Sequence, residues 1–313
     1  GTIQISDKRS REPIMRTTFV NVLTELARKD DRIFLLSADM GFSVFEPFMQ
    51  EFPTRFLNTG IAEQNTIGVA AGLAASGKIV FVYSIVPFVT MRCFEQVRLD
   101  LAYNNTNVKL VGVGGGLTYG SLGPSHHAIE DIAIMRSLPN MTVLCPGDPI
   151  EVRELVLRSY ETNGPVYIRL GKNNEPVIHP KGYRVIIGKA IEVCKGNDLA
   201  LLTTGAMLET GKRWVEEWKE EGVSVRLISM PSIKPFDTKQ IIELIELGLP
   251  IITLEEHNII GGLGSVVSEI IAESGKAIKF MRIGINDTYS HYVGDHRYLR
   301  EKFGLVNKPK LDW

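Results

Sequence analysis

Nearly continuous apolar runs alternate with amphipathic stretches along most of this chain. Residues 32–37 (RIFLLS) carry few polar positions on either face, which is typical of a parallel strand buried between helices. Residues 15–28 instead place apolar side chains at helical spacing. Further strand-like runs lie at 78–84, 108–113, 141–146, 166–170, 199–204, 223–230, 250–255 and 278–283, with helical patterns at 47–52, 62–76, 91–104, 130–138, 150–162, 207–221, 238–247 and 261–274. This alternation predicts an α/β protein whose mostly parallel sheets are covered by helices.

Two such blocks are predicted, because a stretch rich in Asn, Glu and Pro (173–180) separates them. The 313 residues suffice for two domains of ordinary size. We predict an N-terminal arm at 1–12, a first domain at 13–180 and a second at 181–313, with the boundary near Gly182.

Composition argues against two classes of binding partner, nucleic acids and membranes. The formal net charge of −1 implies no general attraction to nucleic acid or to anionic membranes. No apolar run reaches the roughly 18 residues of a membrane span, and the polar start has no signal-peptide core. Three widely spaced cysteines form no CxxC pair and suit a reducing compartment. We therefore expect a cytoplasmic protein with neither a nucleic-acid nor a membrane partner.

The stretch 55–77 (RFLNTGIAEQNTIGVAAGLAASG) is the first candidate for chemistry. A short apolar run ends in the turn 58–60, and a helix rich in Gly and Ala follows. Glu63 therefore lies in the first helical turn, at the carboxyl edge of a strand, where open α/β sheets bind ligands. A carboxylate there also suits the helix dipole, so spacing alone leaves a catalytic role and a simple helix cap both open.

The stretch 112–131 (GVGGGLTYGSLGPSHHAIED) is the second candidate. Its six glycines allow the backbone to approach a ligand closely. His126 and His127 precede a helix whose first turn holds Glu130 and Asp131. A metal site and a loop with two solvated histidines are alternatives, but adjacent histidines rarely chelate one ion without further suitably spaced ligands.

These stretches resemble the transketolase family. GIAEQN followed by AAGLAASG resembles the core motif of its pyrimidine-binding domain, and GPSHHAIEDIAIMRSLPN and YSIVPFVTMRCFEQVRLDL resemble two further segments of it. The resemblance implies a thiamine diphosphate enzyme that transfers two-carbon ketol units. It makes Glu63 the carboxylate that hydrogen-bonds the aminopyrimidine and His126 the histidine that contacts donor and acceptor oxygens.

The resemblance also assigns further contacts. Phe88 or Tyr83 would stack on the aminopyrimidine. Arg92, with Gln96 and Arg98, could also hold its helix against a partner subunit. The remaining cofactor contacts implied are Asp39, Ile61 and Arg92, and the substrate contacts are Arg16, Ser43, Leu122, His126, His127 and Lys172.

Two positions depart from the family pattern. Leu122 stands where transketolases have the Asp that reads a substrate hydroxyl, and Gly114 stands where they have a His. His127 replaces the Gln of many transketolases, as in deoxyxylulose-phosphate synthases. A less polar pocket discriminates less against donors lacking that hydroxyl, so a decarboxylating transfer like that of the synthases is an alternative.

The second domain carries TLEEHNIIGGLGS (253–265), which resembles the transketolase C-terminal domain. Glu255, Glu256 and His257 look like site residues, and residues 261–264 could be read as a phosphate loop. The GxGxxG pattern is absent, however, so we expect this segment to be structural.

The GDG motif that holds Mg²⁺ and the diphosphate in this family is absent from the chain. The resemblance therefore implies a split enzyme, in which a separate N-terminal subunit carries that motif and this chain binds no metal itself. We expect an α2β2 heterotetramer that acts on phosphorylated sugars. The alternative that is not an enzyme is a catalytically silent scaffold subunit that has kept the fold. Another enzyme of the same cofactor class, the pyruvate dehydrogenase beta subunit, fits less well because the loop with His126 and His127 resembles the sugar enzymes more closely.

Overall fold

Two mostly parallel sheets covered by helices form the framework of the molecule, which confirms the α/β class. The computed structural model describes residues 14–41 and 44–311. The predicted arm at 1–12 and the predicted contact Ser43 lie outside these residues. Within the described ranges, no helix combines the length and the apolar character that crossing a membrane requires.

The first sheet has seven strands. They are β1 (Ile33–Ser37), β2 (Phe56–Asn58), β3 (Ile79–Ile85), β4 (Val108–Val113), β5 (Thr142–Leu144), β6 (Val166–Leu170) and β10 (Ser232–Lys234). Their order is β10-β5-β6-β4-β3-β1-β2, and every pair is parallel except β10 with β5. Strands β3, β4 and β6 are buried along their whole length, as their unbroken apolar runs predict.

Helices of the first domain follow the strands in the predicted order. They are α1 (Met15–Ala27), α2 (Glu46–Glu51), α3 (Glu63–Ala75), α4 (Val86–Val89), α5 (Phe94–Gln96), α6 (Asp131–Ser137) and α7 (Pro149–Glu161). The apolar face of α1 packs against α7 and the sheet in one core cluster, while α3 packs on the other cluster beside β3.

The second sheet has five strands. They are β7 (Ile191–Cys194), β8 (Leu199–Thr203), β9 (Val225–Ser229), β11 (Ile251–Asn258) and β12 (Phe280–Ile285), in the order β12-β11-β8-β9-β7. All pairs are parallel except β7 with β9. The helices are α8 (Met207–Glu220), α9 (Thr238–Glu246), α10 (Leu263–Ser274) and α11 (His296–Lys302).

The structure corrects two predictions of local structure. The segment expected as a loop at 231–235 contains β10, which joins the first sheet antiparallel to β5 and so ties the two domains together. The single helix expected at 91–104 is interrupted and ends in a π-helix, Val97–Tyr103. The side chains of Thr90 and Cys93 bond to carbonyls one turn back, which competes with regular helix hydrogen bonds. Strand β7 and the helices α4 and α11 are elements that the apolar pattern did not predict.

Candidate active site

The carboxyl ends of β1, β3, β4 and β6 bring the predicted residues to one edge of the first sheet. Asp39 follows β1, the helix with Phe88 follows β3, the glycine-rich loop follows β4, and Lys172 follows β6. These strands are neighbours in the sheet, so residues far apart in sequence meet there.

Glu63 begins α3 directly after the turn 58–60. The amide of Asn58 shapes this turn, since its oxygen accepts from the backbone N–H groups of Asp39 and Gly60, and its nitrogen donates to the Asp39 carboxylate. The Glu63 side chain is only 4% exposed. It does not act as a simple helix cap. Arg92 Nη1 donates to Glu63 Oε1 and Oε2 at 3.1 and 3.0 Å.

A line of flat side chains continues from this carboxylate. The Arg92 guanidinium carbon lies 3.9 Å from the ring centre of Phe88. The Phe88 ring meets His126 edge-on, with the centroids 5.1 Å apart. The structure thus brings Glu63, Arg92, Phe88 and His126 into one cluster.

Tyr83, the alternative stacking residue, lies in the core instead. Its side chain is 1% exposed, and its ring packs against Phe19 at 5.9 Å and Phe45 at 4.8 Å. Burial raises the pKa of its hydroxyl, and the charge of Arg16 opposes that rise. Phe88 is only half-buried, so of the two rings it is the one able to offer a face to a ligand.

Tyr119 is a site residue that the sequence reasoning missed. Its ring lies 5.9 Å from that of His126 and 4.2 Å from Lys172 Nζ, so it joins the histidine to the cationic side of the site. The ring fills the space beside Gly114 that a larger residue would need. An aromatic residue inside a run of glycines was the available signal.

Arg16 and Lys172 form the cationic side of the site. Arg16 Nε is buried without a hydrogen-bond partner, and the guanidinium interacts with the Tyr83 hydroxyl. Burial lowers the pKa of Lys172, and the positive charge of Arg16 lowers it further. Among residues 14–41 and 44–311, neither side chain pairs with a carboxylate. The two neighbouring positive charges favour an anion at this side of the site.

The two adjacent histidines have different surroundings. His126 Nδ1 lies 3.0 Å from Ser125 Oγ, and burial followed by the charge of Arg92 lowers the pKa of its imidazole. His127 is 4% exposed, with Nε2 3.4 Å from the carbonyl oxygen of Gly120, and burial lowers its pKa too. His126 therefore belongs to the Phe88–Tyr119 cluster, while His127 packs against the loop backbone.

Two predicted contacts lie at the surface. Ile61 is 77% exposed just before Glu63, and Leu122 is 53% exposed in the short 3₁₀ turn Gly120–Leu122. Singly exposed apolar side chains are ordinary at a protein surface, so these two show only that both positions are open to solvent.

A buried ion pair supports the histidine loop from below. Arg169 Nε donates to Asp131 Oδ2 at 2.8 Å, and its Nη2 donates to the carbonyl oxygens of Ala128 and Glu256. The latter two residues belong to different domains. The end of the loop is therefore fixed to the domain interface by one guanidinium.

The acidic segment of β11 has structural contacts, as expected. Glu255 accepts from the backbone N–H groups of Leu263 and Gly264 at the start of α10, which is where a bound phosphate would have to lie. Burial raises the pKa of Glu255 to about 7. Glu256 accepts from Leu117 N, His296 and Arg300, which joins α11 to the glycine-rich loop.

One cluster has the composition of a metal site, namely Asp148, Glu151 and His179. Its oxygen atoms already accept hydrogen bonds, including those from Ile178 N, Gly147 N and the imidazole of His179. A cation would have to displace these donors, so the cluster serves to attach the inter-domain segment.

Comparison with known proteins identifies the family. The model of the transketolase pyrimidine-binding domain matches residues 11–177, and that of the transketolase C-terminal domain matches residues 188–305. The chain belongs to the transketolase family. It is similar to one of the subunits of an apulose-4-phosphate transketolase of Actinobacillus succinogenes, at 40% identity over 83% of each chain. It is also similar to a 6-deoxy-6-sulfo-D-fructose transketolase subunit of a Clostridium species, at 38% identity over 94% of this chain and 91% of the relative.

A solved structure and the length of a further match support the same family assignment. A split-gene transketolase, described as an inactive beta4 tetramer, superposes with a TM-score of 0.85 at 36% identity and 93% coverage of both chains. A 1-deoxy-D-xylulose-5-phosphate synthase of Shouchella clausii is 34% identical, but the match spans only 49% of it. The chain thus matches split transketolase subunits over most of their length, but only about half of the synthase. It groups with the C-terminal subunits of split transketolases, which belong to transferase enzymes.

Proposed function

We propose that this chain supplies the aminopyrimidine side of a thiamine diphosphate site in a split transketolase. The observation that carries the proposal is one cluster in which the buried carboxylate of Glu63 and the half-buried ring of Phe88 both contact Arg92, and Phe88 also contacts His126. An aminopyrimidine needs a carboxylate partner and a flat apolar face, so these residues fit the group. The reaction proposed is transfer of a two-carbon ketol unit from a ketose phosphate to an aldose.

The roles follow from the contacts. Glu63 would hydrogen-bond the aminopyrimidine, and Phe88 would support its face, with Asp39 and Ile61 near the same edge. Bound thiamine diphosphate would supply a thiazolium that accepts the electron pair of the cleaved carbon–carbon bond. His126, as a neutral imidazole, would accept the proton of the substrate hydroxyl whose oxygen becomes a carbonyl as that bond breaks. Arg16 and Lys172, together with Ser43, would bind the phosphate, and His127 and Leu122 would shape the pocket around the substrate.

A partner subunit completes the proposal. Relatives named as separate transketolase subunits match this chain over most of their length, so we propose that Mg²⁺ and the diphosphate are held mainly by an N-terminal subunit in an α2β2 heterotetramer. In such an assembly, we expect the N-terminal subunit to cover the exposed side chains of Ile61 and Leu122. The structural neighbour described as an inactive beta4 tetramer agrees with an incomplete site in such subunits alone.

The test is transfer from xylulose 5-phosphate to ribose 5-phosphate by the two subunits purified as a complex, with thiamine diphosphate and Mg²⁺. Glu63→Ala should lower kcat by about 10²- to 10⁴-fold, because a positioned proton-transfer partner is lost. The matched control is Glu51→Ala, which removes a carboxylate that pairs with Arg28 on the surface. Its activity should equal that of the wild type.

Three outcomes would contradict the proposal. Full activity of this chain without its partner would refute the split site. Unchanged activity of Glu63→Ala would refute its cofactor role. A complex that neither binds thiamine diphosphate nor turns over would identify a scaffold subunit. Pyruvate, offered as donor in a parallel assay, distinguishes the decarboxylating alternative, which the nonpolar Leu122 favours.

A further inference from the structure

Arg92 makes two contacts that converge on the proposed cofactor position. Its Nη1 donates to both carboxylate oxygens of Glu63, at 3.1 and 3.0 Å. Its guanidinium carbon lies 3.9 Å from the ring centre of Phe88. A single planar group thus touches the carboxylate and the aromatic ring together.

These are the same two contacts that the proposed function gives to the aminopyrimidine. Both groups are flat, and both suit an aromatic face. Both also hydrogen-bond a carboxyl group, the guanidinium through its N–H groups and the aminopyrimidine through a ring nitrogen. We infer that Arg92 occupies the aminopyrimidine position in the cofactor-free subunit and must leave it before thiamine diphosphate binds. The inference rests on the proposed function and adds that Arg92 competes with the cofactor, in place of the cofactor contact expected from the sequence.

Exposure shows which partner of the pair can move. The Arg92 side chain is 45% exposed, whereas that of Glu63 is 4% exposed. The Arg92 backbone is held, since its N–H donates to Pro87 O and its carbonyl oxygen accepts from Gln64 Nε2 at 3.4 Å. The side chain alone can therefore swing toward solvent while the chain around it stays in place.

The burial of the Glu63 carboxylate gives a reason for Arg92 to occupy this position before the cofactor binds. An ionised Glu63 without a partner is costly at this low exposure, and Arg92 compensates its charge while no cofactor is bound. Thiamine diphosphate then exchanges one partner for another. The apparent affinity for thiamine diphosphate equals the intrinsic affinity multiplied by the fraction of molecules in which Arg92 has left the position.

The experiment compares Arg92→Ala, Arg92→Lys and wild type. Calorimetry measures the Kd of thiamine diphosphate, with Mg²⁺, for the complex of this chain and its N-terminal subunit. Thermal unfolding is followed for the free chain and for the complex with and without cofactor. Arg28→Ala is the matched control, because Arg28 makes a similar two-oxygen ion pair with Glu51 on the surface.

Removing the competitor should tighten cofactor binding about tenfold in Arg92→Ala. The free variant should unfold at a lower temperature than wild type, since Glu63 loses its partner, and the stabilisation on adding cofactor should be larger. Arg92→Lys keeps the charge without the planar group, so its cofactor Kd and its unfolding temperature should lie between those of wild type and Arg92→Ala. Arg28→Ala should bind the cofactor like wild type.

Weaker or unchanged binding by Arg92→Ala, with wild type binding normally, would overturn the inference while leaving the proposed function intact. Weaker binding would make Arg92 a cofactor ligand. A wild-type complex that fails to bind thiamine diphosphate at all would overturn the proposed function and this inference together.

Discussion

The ring of Tyr119 occupies the space that a side chain on Gly114 would need. A Cβ at residue 114 would overlap two ring atoms of Tyr119, and the φ of +83° there disfavours any residue with a Cβ. The same ring contacts His126 and Lys172. The departure from the family pattern at Gly114 is therefore coupled to an aromatic side chain in the middle of the site.

Gly114→Ala should lower the free energy of unfolding by about 2–4 kcal/mol, the sum of backbone strain and overlap with the ring. Urea unfolding measures it. The matched control is Gly222→Ala, because Gly222 has φ of +82° but open space around it. That variant should lose only about 1 kcal/mol from strain.

The double variant Gly114→Ala with Tyr119→Ala separates the two costs. Without the ring, the alanine should retain only its backbone strain, so the two single effects should not add. Equal costs for Gly114→Ala and Gly222→Ala would show that the ring moves aside freely.

Arg16 and Lys172 should read the substrate phosphate. Arg16→Ala should lower kcat/KM for a phosphorylated acceptor by about 10- to 100-fold, since it removes charge-assisted hydrogen bonds. Lys172→Ala should have a smaller effect, because a single ammonium grips phosphate less specifically. Steady-state kinetics with ribose 5-phosphate measures both.

Glycolaldehyde, an acceptor without phosphate, is the control for that assay. Its kcat/KM should be nearly the same in Arg16→Ala as in wild type, provided the donor is saturating. An equal loss with both acceptors would contradict phosphate recognition and assign Arg16 to the support of Tyr83.

The imidazole of His126 should set the acid limb of kcat/KM. Burial and the charge of Arg92 lower its pKa, so the neutral form persists below the ordinary histidine value of about 6.5. Activity should fall only as the pH drops through that lowered pKa. With cofactor bound, the Arg92 side chain is inferred to have swung away, so Arg92→Ala should leave the limb close to its wild-type position.

The pH profile should be recorded with saturating cofactor, so that altered cofactor affinity does not contribute. His127→Gln is the comparison variant. Because His127 packs against the loop and shapes the pocket, its loss should change the height of the profile but leave the limb at the same pH. A limb that persists unchanged in His126→Asn would show that another group titrates.

The departures from prediction share one physical cause. Strand β10 is three residues long, and its partner β5 lies about ninety positions earlier, so no local pattern marks it. The predicted helix at 91–104 is interrupted by side-chain hydrogen bonds whose outcome depends on the surrounding packing. The choice between Tyr83 and Phe88 likewise depended on which ring the core covers.

The sequence by itself determined the α/β class, the order of most elements, the transketolase family and the placement of Glu63 at a strand edge. Each of these follows from the periodicity of apolar residues or from a motif of residues close together in the sequence. Only the tertiary structure decided that Arg92 pairs with Glu63, that Tyr119 fills the place beside Gly114 and that His126 and His127 have different surroundings. Those contacts join separate elements at the edge of one sheet, and their distances arise only when the strands have packed.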